Sequence, residues 1–144
     1  MKVYGVTGWK NAGKTGLMER LVAEITARGF SVSTVKHAHH ATDVDQPGTD
    51  SFRHRQAGAG EVLLASPHRW ALMAELRDAP EPPLEALLAR LSPADVVLVE
   101  GYKTAPHPKI EAHRAETGKA LLSAENNSVR AIASDAPVKS PLPR

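Results

Sequence analysis

The stretch "KVYGVTGWKNAGKTGLMERLV", Lys2 to Val22, changes its hydrophobic period once, and the change falls on a glycine-bounded loop. "KVYGVTG" carries the β-branched and aromatic residues of a strand, whereas Leu17, Met18, Leu21, Val22 and then Ile25 recur at helical spacing. Between them Gly8, Gly13, Lys14 and Thr15 match G-x-x-x-x-G-K-[ST] in full. That pattern wraps an anion in backbone N–H groups, and the glycines supply the φ angles and the close approach. The residues expected to line it are Gly8, Asn11, Ala12, Gly13, Lys14, Thr15 and Gly16. Lys14 would reach the β and γ phosphates, the Thr15 hydroxyl would ligate Mg²⁺, and the helix from Thr15 onward would aim its positive end at the phosphates. A strand before the loop and an amphipathic helix after it are the context such a loop requires.

Further along, "FSVSTVKH" reads as a second strand after Gly29, and "SFRHRQAG" as a short helix with Asp50 as its N-cap. "GEVLLAS" reads as a strand, "RWALMAELRD" suits strand or helix equally, and "PPLEALLARLS" is a helix with Pro83 near its first turn. The apolar run in "ADVVLVEGYK" fits a central parallel strand buried on both faces. "PKIEAHR" and "VRAIASD" follow as later strands. The alternation predicts an α/β fold: a three-layer, P-loop NTPase-like domain over 1–136 with a mainly parallel sheet, followed by an irregular proline-rich tail over 137–144.

Composition narrows the function. In 144 residues there is no cysteine, so thiolate zinc sites and cysteine nucleophiles are excluded and histidine and carboxylates remain as metal ligands. The net charge is +2, basic and acidic residues are interspersed, and aromatic residues are few, which argues against nucleic-acid binding. The start "MKVYGVTGWKNAGKTG" lacks the apolar core of a signal peptide, and no apolar run approaches the roughly 20 residues of a membrane span, so a cytoplasmic protein is expected.

Two acids bracket "VVLV". Ligands bind beyond the carboxyl ends of parallel strands, so Glu100 is the candidate to hold Mg²⁺ or its water, and Asp95, roughly 17 Å away at about 3.3 Å per residue, is structural. The segment "VKHAHHATDVDQPGTDSFRHR" offers two readings. His37 and His39 would share one face of an extended strand and hold a metal, with His40 beside them; alternatively this is a polar loop whose acids help place the Mg²⁺ of a nucleotide. The hard oxygen donors favour the second.

Taken together, "GWKNAGKT", "VKHAHH", "DVDQPGTDSFRHRQAGA", "DVVLVEGYK" and "PKIEAHR" resemble the molybdopterin-guanine dinucleotide biosynthesis protein B family, from Lys2 to about Asp135. The resemblance implies a homodimer that binds GTP with Mg²⁺, is at most a weak Mg²⁺-dependent GTPase, and supports the nucleotidyltransferase that joins GMP to molybdopterin. It further implies that Gly8 to Thr15 is the phosphate loop, with Lys14 and Glu100 in the catalytic roles, that Thr15, Asp45 and Glu100 serve the metal, and that Asp50 is a second acid of the loop after strand two. No "NKxD" guanine-reading motif is present; guanine preference rests on the resemblance, with Asp135 as a candidate base contact. The stretch "IASDAPVKSPLPR" departs from the family pattern, in which another short strand or helix is expected. A P-loop kinase acting on a small molecule, a metallochaperone GTPase and a non-enzymatic scaffold are the competing readings.

Overall fold

"VVLV" lies inside the sheet. A computed structural model describes residues 1–38 and 45–144, and its elements are β1 (Lys2–Thr7), α1 (Lys14–Ala27), β2 (Val32–Lys36), α2 (Asp50–Ala57), β3 (Glu61–Ala65), β4 (Trp70–Ala74), α3 (Leu84–Leu88), β5 (Val96–Glu100), β6 (Lys109–His113) and β7 (Val129–Ser134). Two compact units result: Met1–His37 with Leu88–Arg144, and Ala38–Leu87.

The first unit is built on a five-stranded sheet in the order β2-β5-β1-β6-β7. Every pairing in it is parallel. Buried on both faces, β5 can be apolar without alternation, and Val97, Leu98 and Val99 are all buried. Helix α1 covers one face, with Met18 packed on Val6 and Leu98, and Leu17, Leu21, Val22 and Ile25 around them. Those residues form the apolar stripe that the helical spacing predicts. The strand order turns at β1, with β5 and β2 to one side and β6 and β7 to the other. In an open parallel sheet the crevice at such a turning point is the place for a ligand.

The opposite face carries charge in its interior. Glu111 is 0% exposed and pairs in register with Thr7, so its side chain points away from α1. Its carboxylate accepts hydrogen bonds from the Leu122 N–H at 2.6 Å and the Ser123 N–H at 2.9 Å, where a 3₁₀ turn over Leu122–Ala124 begins. Lys109, also buried, donates through Nζ to the Ala105 carbonyl, to the His107 carbonyl at 3.0 Å and to Ser128 Oγ at 2.9 Å. Burial lowers its pKa from the ordinary lysine range. At the other end of the sheet Asp95 accepts from Ser31 N–H at 2.8 Å and Ser31 Oγ at 2.9 Å, tying β2 to the start of β5. These bonds hold its carboxyl below the usual range. Asp95 is structural, as read. In the tail no helix or strand forms, but the Pro143 carbonyl accepts from Ile132 N–H at 2.9 Å on β7.

Within the second unit β3 and β4 form an antiparallel pair with Leu63 opposite Leu72 and Ala65 opposite Trp70. "RWALMAELRD" is therefore a strand and not a helix over Trp70–Ala74, because β3 supplies the partner. One correction concerns α2: its N-cap is Thr49, in extended conformation, and Asp50 is its first residue. There the carboxylate favours the positive helix end without capping it. Arg55 is a largely buried hub, with Nη2 at 2.5 Å from Asp45 and Nη1 at 2.6 Å from Glu75. Hydrogen bonds to Glu75 and Asp45 raise its pKa. No helix among the described residues is long and apolar enough to cross a membrane.

Candidate functional site

The loop from Gly8 to Gly13 leaves β1 at the centre of the sheet and enters α1 at Lys14. Gly8 is needed for space: a Cβ there would stand 2.6 Å from the Ala112 carbonyl oxygen on β6. Gly13 is needed for conformation, since it caps α1 at φ 94°, ψ 21° in the left-handed region. Asn11 is also left-handed, at φ 65°, a conformation its short polar side chain tolerates better than most. The Ala12 N–H bonds to the Trp9 carbonyl at 3.1 Å and curls the loop tightly.

Lys14 folds back across this loop and donates through Nζ to the carbonyls of Gly8 at 3.0 Å and Trp9 at 2.9 Å. Its pKa is lowered, first by burial and then by the nearby Lys103 and Lys36 charges, against an opposing pull from Glu100. The ammonium is thus under-compensated, and an arriving anion would relieve it. Glu100, last residue of β5, has a side chain 14% exposed with Lys36 Nζ 3.9 Å from its carboxylate. Lys14, Thr15, Glu100 and Arg114 line one cavity of about 620 Å³.

Of the expected loop residues, Asn11, Gly13, Lys14, Thr15 and Gly16 face this cavity, while Gly8 and Ala12 lie buried beneath it. The donor set fits Mg²⁺. A hydroxyl from Thr15 and a carboxylate from Glu100 are hard oxygens, and this ion keeps most of its water while taking one or two carboxylates plus phosphate. Asp45 belongs to the second unit, where Arg55 holds it. Burial opposes its ionisation, but hydrogen bonds from Arg55 and Ser51 and the Arg55 charge outweigh this and keep its pKa low. Asp50 opens α2 in the same unit.

His37 stacks on Tyr102 with ring centroids 4.5 Å apart, and its backbone N–H donates to the Glu100 carbonyl at 2.9 Å. His39 and His40 lie outside the described residues, and among those described no group of three or more His, Asp or Glu is arranged to hold a metal. Asp135 accepts the Ala115 N–H at 3.0 Å through Oδ1 and lines a second cavity of about 410 Å³. That cavity lies at the ends of β6 and β7 and shares Gly13, Gly16 and Arg114 with the first.

Sequence reasoning missed several neighbours of the loop. Lys103 and Lys119 place their ammonium groups 5.4 and 5.6 Å from the Trp9 ring centroid, and the Trp9 indole N–H bonds to the Ala120 carbonyl at 2.9 Å. Such cation–π contacts brace the loop from outside. Arg114 leans over Gly13. The only signal for these residues is position: Lys103 and Arg114 each follow a strand whose carboxyl end faces the loop.

Comparison with known proteins gives the family and the fold. The family described as molybdopterin guanine dinucleotide synthesis protein B matches residues 3–135. A molybdopterin-guanine dinucleotide biosynthesis adapter protein of Haemophilus influenzae is 42% identical over 140 residues, 95% of this chain and 76% of its own length. The Escherichia coli protein of that name is 41% identical over 133 residues, 90% of this chain and 76% of its own. Among solved structures, a MobB protein homolog from Bacillus stearothermophilus superposes with a TM-score of 0.71 at 32% identity, covering 99% of this chain and 83% of that one. Bacillus subtilis MobB gives 0.77 at 26% identity, covering 99% and 88%. The resemblance read from the motifs is therefore borne out: this chain belongs to the molybdopterin-guanine dinucleotide synthesis protein B family.

Proposed function

We propose that this protein is an adapter in molybdopterin-guanine dinucleotide formation that holds GTP with Mg²⁺ in the cradle over Lys14. The observation that carries the reading is the convergence of Lys14, Thr15 and Glu100 on one cavity at the turning point of a parallel sheet. Lys14 would neutralise the β and γ phosphates, Thr15 and Glu100 would hold Mg²⁺ and its water, and the loop amides would bind the remaining oxygens. The ion's contribution is charge neutralisation on the phosphates. The second cavity, towards β6 and β7, is the place for the nucleoside, with the free oxygen of Asp135 as the base contact.

Efficient phosphoryl transfer requires a positioned acceptor, and the residues around this cavity offer none beyond water. Hydrolysis by the protein alone is expected in the slow range of GTPases without a completing partner, on the order of 10⁻⁴ to 10⁻² per second. The proposed partner is the nucleotidyltransferase that joins GMP to molybdopterin. A second copy of the chain is part of the proposal: Leu63 and Trp70, 59% and 68% exposed, share one face of the β3–β4 sheet with Leu72, and an apolar face of this kind suits an interface.

Titration with GTP and with ATP, with and without Mg²⁺, tests the cradle, and light scattering on the same sample tests for a mass of two chains. Reconstitution of a molybdoenzyme with each component left out in turn tests the adapter role. We expect Mg²⁺-dependent preference for GTP and more active cofactor per unit of nucleotidyltransferase. Dinucleotide formed by this chain alone, or γ-phosphate transferred to a small molecule, would overturn the reading.

A separate expectation concerns Glu100→Gln, which keeps shape and removes charge. It should slow Mg²⁺-dependent hydrolysis about 10- to 100-fold while changing nucleotide affinity only about threefold, because the carboxylate acts on metal and water. Equal losses in rate and affinity would assign Glu100 a structural role.

A further inference from the structure

Arg114 stands closer to the phosphate loop than any motif indicates. A Cβ placed on Gly13 would lie 3.1 Å from Arg114 Nε and 3.2 Å from Nη2, so the guanidinium rests on the residue just before Lys14. The reason is register. β6 runs parallel to β1 with Glu111 opposite Thr7, and where β1 turns into the loop β6 continues through Ala112 and His113 to Arg114. β5 flanks β1 on the other side and delivers Glu100. Both residues line the cavity that Lys14 and Thr15 line. The acid partner of Arg114 is Glu116, 3.9 Å away, with side chains 48% and 75% exposed. A pair so long and so solvated holds the guanidinium weakly, and a polyanion would displace it.

We propose that Arg114 is a phosphate-contacting residue, donating from its guanidinium to non-bridging phosphoryl oxygens of the nucleotide from the β6 side while Glu100 serves the metal from the β5 side. The assignment rests on the nucleotide reading above and adds to it a cation supplied within the same chain. An arginine suits the position because its planar fork makes two parallel bonds to phosphoryl oxygens, which lysine cannot do. Charge complementarity points the same way: Lys10, Lys14 and Arg114 line one opening, Lys36 and Lys103 lie near enough to act on the Lys14 charge, and Glu100 and Glu116 only partly offset them, so that a triphosphate supplies the missing negative charge.

The test is calorimetric titration of the full chain and of Arg114→Ala, Arg114→Lys and Lys14→Ala with Mg²⁺-GTP and with inorganic tripolyphosphate, together with melting of each free protein. Arg114→Ala should melt with the parent, since only a loose surface pair is lost, and should bind both ligands about 10- to 100-fold more weakly. Arg114→Lys should recover part of the loss, because charge returns without the fork. If Arg114→Ala melts early, Arg114→Gln replaces it, keeping much of the stem on Gly13 without the charge. Unchanged binding by the folded Arg114 variants alongside loss in Lys14→Ala would overturn the assignment and leave the cradle standing. No binding of GTP or tripolyphosphate by the parent protein would overturn the nucleotide reading itself, and Arg114's role with it.

Discussion

Lys14→Ala should bind Mg²⁺-GTP on the order of a hundredfold more weakly than the parent and melt at nearly the same temperature. The loss follows from removing a charge-assisted bond to phosphoryl oxygens, which contributes about 1.5–3 kcal/mol. The unchanged stability follows from the state of Lys14 in the free protein. Its ammonium satisfies two loop carbonyls, Gly8 and Trp9, but it does so under burial and under repulsion from Lys103 and Lys36 that together lower its pKa. Removing it relieves that repulsion while it costs the bonds. On the nucleotide reading proposed above, the loss of the lysine is felt only when the ligand arrives. Arginine at this position should not restore binding, since the compact ammonium fits over the loop where a planar fork does not. Titration calorimetry and a thermal melt decide both halves: a melting temperature that falls in step with affinity would make Lys14 a structural residue.

The second large effect is on folding. Glu111→Ala should destabilise the protein by about 3–5 kcal/mol, a large share of the 5–15 kcal/mol that holds a typical domain together. The carboxylate is fully buried and accepts two backbone N–H groups at the start of the Leu122–Ala124 turn. Alanine leaves both donors without an acceptor, at about 1–3 kcal/mol each, and opens a cavity besides. Glu111→Gln should fall between, because one oxygen still accepts while the amide NH₂ meets a second donor. Urea unfolding followed by circular dichroism measures both, and a loss under about 1 kcal/mol for the alanine variant would refute the account. Function would follow stability here. The next residue, Ala112, packs its carbonyl against Gly8, and Arg114 lies two positions beyond Ala112 on the same segment, so a loosened β6 loosens the cradle.

β1, the loop and α1 were legible from the sequence because every rule they obey acts over a few residues: alternation, glycine at the turns, an apolar stripe at helical spacing. β5 was legible for a similar reason, as an apolar run that only a doubly buried strand explains, and the acid at its carboxyl end followed from the general place of ligands in parallel sheets. The family motifs were legible as a pattern in order along the chain. What tertiary structure alone decided are matters of partnership. "RWALMAELRD" becomes a strand because Leu72 has Leu63 opposite it, a fact about residues on another strand. "PKIEAHR" reads as a strand, yet Lys109 and Glu111 are buried because Ser128 Oγ and the amides of Leu122 and Ser123, all far along the chain, meet their charged groups. Asp45, grouped by the motif with the metal acids, has Arg55 as its counter-ion. Strand order sets β5 and β6 on either side of β1 and so brings Glu100 and Arg114 to the two flanks of one loop. Local spacing specifies elements; which elements become neighbours depends on pairing and burial across the whole chain, and the charges around the cradle are arranged by those neighbours.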